Sequence, residues 1–295
     1  MMEFKGCGTA LVTPFKENGE VDYEAYSRLV RRQAEGGVDF LVALATTAET
    51  PTLSVDEKRR ILLLTYRNAV RPDGSRLPII AGCGSNSVEA TLANAEVLDK
   101  GLFDAYLVVV PFYNKPTQEG MYRYFSAVSE ALDKPVILYN VPGRTGANMT
   151  AQTCLRIARD CRNVIGVKEA SGKLEQMLGI LEGAPEGFSL LSGDDDMTEA
   201  VMEHGAKGVI SVASNVRPDL VSDMTGAALK GDFGKARALD AKLGPLFKAC
   251  FVESNPIPAK EALHILGLCA NRMRLPLTEA TEDTSKTISA VLGSL

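Results

Sequence analysis

Eight short apolar runs, each followed by a segment of helical period, constrain this chain more than any other feature. The runs are Ala10–Val12, Phe40–Leu44, Leu77–Ala81, Ala105–Val110, Pro135–Tyr139, Val164–Val167, Phe188–Leu191 and Gly208–Val212. They are nearly continuous in apolar residues rather than alternating, which is the pattern of strands covered on both faces in a parallel sheet. The segments between them carry helix starts. Asp22 precedes Tyr23, Tyr26, Leu29 and Val30 at a three-to-four spacing. Ser54 with Glu57 three residues later predicts a capping box opening a helix through about Asn68. Asn86 opens a helix expected to reach Lys100, Thr117 one with Tyr122, Phe125 and Val128 on one stripe, and Thr150 the next.

Strand, loop and helix repeated eight times in right-handed units close a barrel. An open doubly wound sheet would need a glycine-rich phosphate loop after its first strand. Here that strand runs into Thr13-Pro14-Phe15, and Gly82-Cys83-Gly84 lacks a third glycine at the right place. The expected fold is therefore α/β, a (β/α)8 TIM barrel over residues 1–229. A helical extension follows over residues 230–295, with helices near 232–250, 258–268 and 278–292.

Composition narrows the function. Lys+Arg at 32 against Asp+Glu at 37 gives a net charge of -5 with no basic block. That disfavours nucleic acid and anionic membranes as partners. No apolar run reaches the roughly 18 residues a membrane span needs. The six cysteines show no C-x-x-C spacing and no neighbouring histidine, so no metal site is expected. They read as reduced, packed thiols of a cytoplasmic protein, and the N-terminus lacks the pattern of a signal peptide. His204 and His264 have no partner signal and read as structural.

In a barrel, chemistry sits where strands exit at the C-terminal face. Lys168 ends the sixth apolar run, where desolvation favours the neutral amine that attacks carbonyls. Its alternative is a structural ion pair with Glu169 or a carboxylate across the barrel. Tyr139 and Tyr113 end strands and either pack or act through their hydroxyls. Arg144, in a Gly- and Pro-bounded loop, either clamps a carboxylate or lies free on the surface. Thr46 and Thr47 either cap a turn or relay protons. Asp194-Asp195-Asp196 has the look of a cation cluster but reads better as helix N-capping.

Taken together, Tyr139-Asn140-Val141-Pro142-x-Arg144-Thr145-Gly146, Gly166-Val167-Lys168-Glu169-Ala170-Ser171-Gly172 and Asn255-Pro256-Ile257-Pro258-x-Lys260 resemble one known group. It is the dihydrodipicolinate synthase branch of the pyruvate-dependent class I aldolases, a family that also holds N-acetylneuraminate lyase. The resemblance runs from Thr13-Pro14-Phe15 to Arg274-Leu275-Pro276-Leu277. It implies a (β/α)8 barrel assembled as a homotetramer, a dimer of dimers. It also implies condensation of pyruvate with L-aspartate-4-semialdehyde to 4-hydroxy-tetrahydrodipicolinate on the diaminopimelate route to lysine. No cofactor is implied beyond a covalent imine with pyruvate. Lys168 matches the imine-forming lysine and Tyr139 the tyrosine that passes protons. Thr46 matches the relay threonine, and Tyr113 the tyrosine lent by the neighbouring subunit across the tight dimer. Thr47 matches the residue holding the pyruvate carboxylate, and Arg144 the one binding the aldehyde's carboxylate. Gly193 and Ile210 match pocket-lining positions.

Arg144 favours this branch over a 2-keto-3-deoxy sugar acid or N-acetylneuraminate-type lyase, whose substrates present a polyol chain. The joint presence of the lysine, tyrosines, threonines and arginine argues against a silent barrel acting as a binding protein. The chain departs from the group at Ala45 and Ala48, where glycine is usual; if those positions take positive φ, alanine costs about 1 kcal/mol. Phe112, Val55, Lys58 and Ala90 stand where lysine-inhibited members carry tyrosine, histidines and glutamate. Weak or absent feedback inhibition by lysine is expected.

Overall fold

The computed structural model describes residues 3–295. Eight parallel strands close a barrel in sequence order. They are β1 (Gly6–Ala10), β2 (Phe40–Ala43), β3 (Ile79–Gly82), β4 (Ala105–Val109), β5 (Val136–Asn140), β6 (Val164–Glu169), β7 (Ser189–Ser192) and β8 (Gly208–Ser211). The crossovers are α1 (Tyr23–Glu35), α2 (Val55–Asn68), α3 (Val88–Glu96), α4 (Gln118–Ala131), the single turn α5 (Pro142–Thr145) with α6 (Ala151–Asp160), α7 (Leu174–Gly183), α8 (Thr198–Glu203) and α9 (Pro218–Leu229). Three helices follow, α10 (Phe233–Ala249), α11 (Ile257–Ile265) and α12 (Glu282–Leu292). They pack on the barrel's last helices and on one another. Among the described residues no helix is long and apolar enough to cross a membrane.

The helix starts read from sequence are real caps. Asp22, Thr117 and Thr150 each accept a first-turn backbone N–H, and Ser54 with Glu57 forms the reciprocal capping box. The third crossover helix differs from expectation. It starts after Ser87 and stops at Glu96, with a separate 3-10 turn at Lys100–Leu102.

The first strand also differs. It spans Gly6–Ala10 rather than Ala10–Val12, and its small residues carry no apolar signal. The barrel needs them small. A Cβ on Gly8 would lie 2.0 Å from the ring of Phe40. That ring meets Phe4 edge-on at 5.3 Å and, from the first residue of β2, closes the floor of the barrel. Burying such a ring stabilises by about 1.5–3 kcal/mol. Above it, Val42, Ile80, Leu107, Ile137, Leu191 and Ile210 fill the interior. A larger apolar layer lies between the sheet and the helices. With Phe4 and Phe40 packed into the floor, the C-terminal face is the end where chemistry is expected.

Candidate active site

The exits of β5 and β6 set the centre. Tyr139 pairs with Lys168 and Asn140 with Glu169 in strand register. Successive side chains point to opposite faces. Tyr139 and Lys168 turn into the barrel, where the ammonium lies 4.3 Å from the centroid of the tyrosine ring. Glu169 turns out and is fully buried. It accepts hydrogen bonds from Asn140 Nδ2 (3.1 Å), Ser171 N (2.9 Å) and Gln176 Nε2 (3.0 Å). Asn140 Oδ1 accepts from Met149 N at 2.9 Å. Burial pushes the Glu169 carboxyl above its ordinary range, opposed by these donors. The alternative of an ion pair between Lys168 and Glu169 is thus overturned: the two occupy opposite faces of one strand. Lys168 forms no ion pair among the described residues and is only 4% exposed.

The stem of Lys168 passes over Gly193 at the exit of β7. A Cβ there would meet Ala170 Cβ at 2.5 Å and Lys168 Cε at 3.0 Å. Glycine keeps the lysine's channel open. Beside it, Asp194 Oδ2 accepts from Gly172 N at 3.0 Å. Asp195, buried, accepts from Val212 N and Ala213 N at 3.0 Å each. These aspartates do not cap their own turn, as the sequence suggested; they tie the exit of β7 to those of β6 and β8. Burial pushes the Asp194 carboxyl up to about 6.

A cleft of about 540 Å³ opens above, lined by Thr46, Tyr139, Arg144, Phe112, Lys58 and Asn255 among others. Thr46 and Thr47 start a 3-10 turn after β2. The expected strain at Ala45 and Ala48 does not arise. Ala45 is extended at φ -96°, and the left-handed positions are Leu44 (φ 57°) and Glu49 (φ 53°). Thr47 is buried and accepts from Asn255 Nδ2 at 3.0 Å. The carbonyl of Asn255 accepts from Arg144 Nη2 at 3.1 Å, and its own Oδ1 is buried without a partner. The exposed Arg144 rides on α5, whose end is set by Gly146 at φ 69°.

Tyr139, Lys168, Thr46, Thr47, Arg144, Gly193 and Ile210 therefore gather at one end of the barrel, Ile210 packed with Tyr139 in the interior. Tyr113 does not join them. It is 89% exposed, has φ 73° and is not among the residues that line its own chain's cleft. His204 and His264 are exposed, each bonded to a backbone carbonyl. Three groups escaped sequence reasoning as site members: Asn255, the buried pair Glu49 and Lys260 (2.7 Å), and the Asn140–Glu169 clamp. Asn255, Lys260, Asn140 and Glu169 sat inside recognised motifs, but nothing in their spacing pointed to these contacts. Among the described residues, no group of three His, Cys, Asp or Glu side chains is placed to hold a metal.

The profile of the dihydrodipicolinate synthetase family matches residues 3–295. A 4-hydroxy-tetrahydrodipicolinate synthase from Phocaeicola vulgatus is 47% identical, over 99% of this chain and 97% of that one. The crystal structure of a dihydrodipicolinate synthase from Thermotoga maritima is 44% identical, covers 100% of both chains and superposes with a TM-score of 0.95. A chloride-inhibited dihydrodipicolinate synthase from Acinetobacter baumannii, solved with pyruvate, is 38% identical over 98% of each chain, with a TM-score of 0.93. On a match that runs nearly end to end in sequence and in fold, the chain belongs to the dihydrodipicolinate synthetase family.

Proposed function

We propose that this chain is a 4-hydroxy-tetrahydrodipicolinate synthase that condenses pyruvate with L-aspartate-4-semialdehyde through an imine on Lys168. The observation that carries the reading is the position of Lys168. It is a buried amine with no carboxylate partner, stacked on a tyrosine at the open end of a barrel. A structural lysine would be paired.

The amine adds to C2 of pyruvate, and the carbinolamine loses water to give the imine. Loss of a C3 proton gives the enamine. Its C3 bonds to the aldehyde carbon, whose oxygen takes up a proton and becomes the 4-hydroxyl. The amino group of the second substrate then displaces Lys168 at C2, closing the ring and freeing the amine. One water leaves overall. Tyr139 is suited to pass these protons because its ring is held against the lysine. Thr46 lines the same cleft and extends the relay. Thr47, fixed by Asn255, receives the pyruvate carboxylate. Arg144, steadied by the Asn255 carbonyl, takes the carboxylate of the aldehyde. Gly193 and Ile210 shape the pocket around the imine. The reaction asks for no cofactor beyond the covalent imine.

Tyr113 enters this scheme from a second copy. Its exposure and left-handed backbone support a side chain projected into a neighbour's cleft within a tight dimer, two of which form the tetramer. Residues 1–229 act as the catalytic barrel and 230–295 as the extension that supplies Asn255 to its mouth. Both substrates are small metabolites, in keeping with a cytoplasmic enzyme. Assays with pyruvate and either L-aspartate-4-semialdehyde or a sugar aldehyde test the acceptor. Faster turnover of the semialdehyde is expected; preference for the sugar aldehyde contradicts the reading.

A further inference from the structure

Glu49 and Lys260 form a buried ion pair, with side chains 1% and 0% exposed and an N–O distance of 2.7 Å. Removing two charges from water at such a place yields little net stability, so the pair invites another explanation. Glu49 closes the Thr46–Ala48 turn in a left-handed conformation. Its second oxygen accepts from Arg274 N at 3.1 Å. The Arg274 guanidinium is itself anchored on Glu57 at 2.6 Å, and both Lys260 and Arg274 lie over the ring of Phe15. Helix α11 therefore grips the threonine turn at two points: at Thr47 through Asn255, just before its start, and at Glu49 through Lys260 in its first turn. Two fixed points set the orientation of a short turn, where one would leave it free to pivot.

We infer that the Glu49–Lys260 pair is a positioning device for the known reaction: from the C-terminal extension it sets where Thr46 and Thr47 meet pyruvate. This rests on the reading of Lys168 and the two threonines given above. Glu49 lines the cleft, but its two carboxylate oxygens are taken up by Lys260 Nζ and Arg274 N.

The double variant Glu49→Gln/Lys260→Met removes both charges while leaving similar volumes, so no lone charge is buried. It is expected to fold with a melting temperature near the parent's. In borohydride trapping, the pyruvate concentration giving half-maximal adduct at Lys168 should rise about tenfold or more, with the adduct still complete at saturation. The KM for the aldehyde should stay within about twofold, since Arg144 is held through a backbone carbonyl instead. Amide exchange over residues 45–50 should quicken. A folded double variant with unchanged half-saturation and unchanged exchange overturns the inference. So does a double variant that cannot fold, because the pair would then hold the fold rather than the turn. If the parent gives no adduct, the reading of Lys168 fails, while amide exchange still decides whether the pair holds the turn.

Discussion

Tyr139 and Lys168 face each other across the β5–β6 ladder, with the lysine ammonium 4.3 Å from the centre of the tyrosine ring. The next residue pair on the same two strands, Asn140 and Glu169, faces the other way and is locked by hydrogen bonds. Strand alternation thus divides the work: one pair does chemistry inside the barrel, and the other fixes the register from outside.

Glu169→Gln tests that division. The substitution keeps the shape but turns an N–H donor toward the donors of Asn140, Ser171 or Gln176. Urea unfolding should show a loss of about 2 kcal/mol. Because the register partner of Tyr139 moves with it, kcat/KM should fall about tenfold. Unchanged values of both would show that the outer pair fixes nothing.

Gly193→Ala should damage the lysine's channel. The added methyl must displace Ala170 or the Lys168 stem. Overpacking of this kind costs about 1–3 kcal/mol, and misplacing the amine should slow pyruvate trapping about 10- to 100-fold. Trapping at the parent rate in a folded variant would contradict the close contact.

Asp194 makes a pH signature. Burial raises its carboxyl to about 6, above the ordinary value of 3.8. Above pH 6 it is ionised in both the folded and unfolded states, and the folded state bears the desolvation cost. Between those two values the folded state keeps a proton that the unfolded state has lost. The penalty therefore shrinks as pH falls through 6. Asp194→Asn should melt at a higher temperature than the parent at pH 8, by about 1–2 kcal/mol of stability. The gap should narrow progressively as pH falls through about 6 and close only near the unfolded value of 3.8. Thermal melts across that range check it, and a constant gap would rule out the titration.

The cleft also bears on feedback. Its rim carries Lys58 and Phe112, and a lysine ammonium entering there would meet a cation and a phenyl ring, while the lining carboxylate, Glu49, is already paired with Lys260. Activity at sub-millimolar lysine should match activity without it. A sharp fall would contradict this.

Much of the fold was legible because each of seven strands advertises itself as an apolar run and most helices carry a side-chain cap. The strand that was misplaced, Gly6–Ala10, is built from small residues chosen for the Phe40 ring, so its signal lies in what it omits. At the site, Lys168 and Tyr139 were legible from their place at strand ends. Asn255 and Lys260 were not. Their partners Thr47 and Glu49 lie 208 and 211 residues away, and only the folded chain brings them together. Tyr113 was named from resemblance alone: in its own chain it is exposed and does not line the cleft, so nothing local ties it to the site. The three aspartates read as caps because their neighbours across the barrel mouth, Gly172 and Val212, are invisible in local sequence.

The central claim is that the unpaired amine of Lys168 forms an imine with pyruvate. Incubating the protein with pyruvate and borohydride, then mapping the added mass by peptide analysis, tests it most directly. The account predicts a reduced pyruvyl adduct on Lys168, absent in a folded Lys168→Arg variant because guanidinium does not deprotonate. No adduct, or an adduct on another lysine, would contradict it.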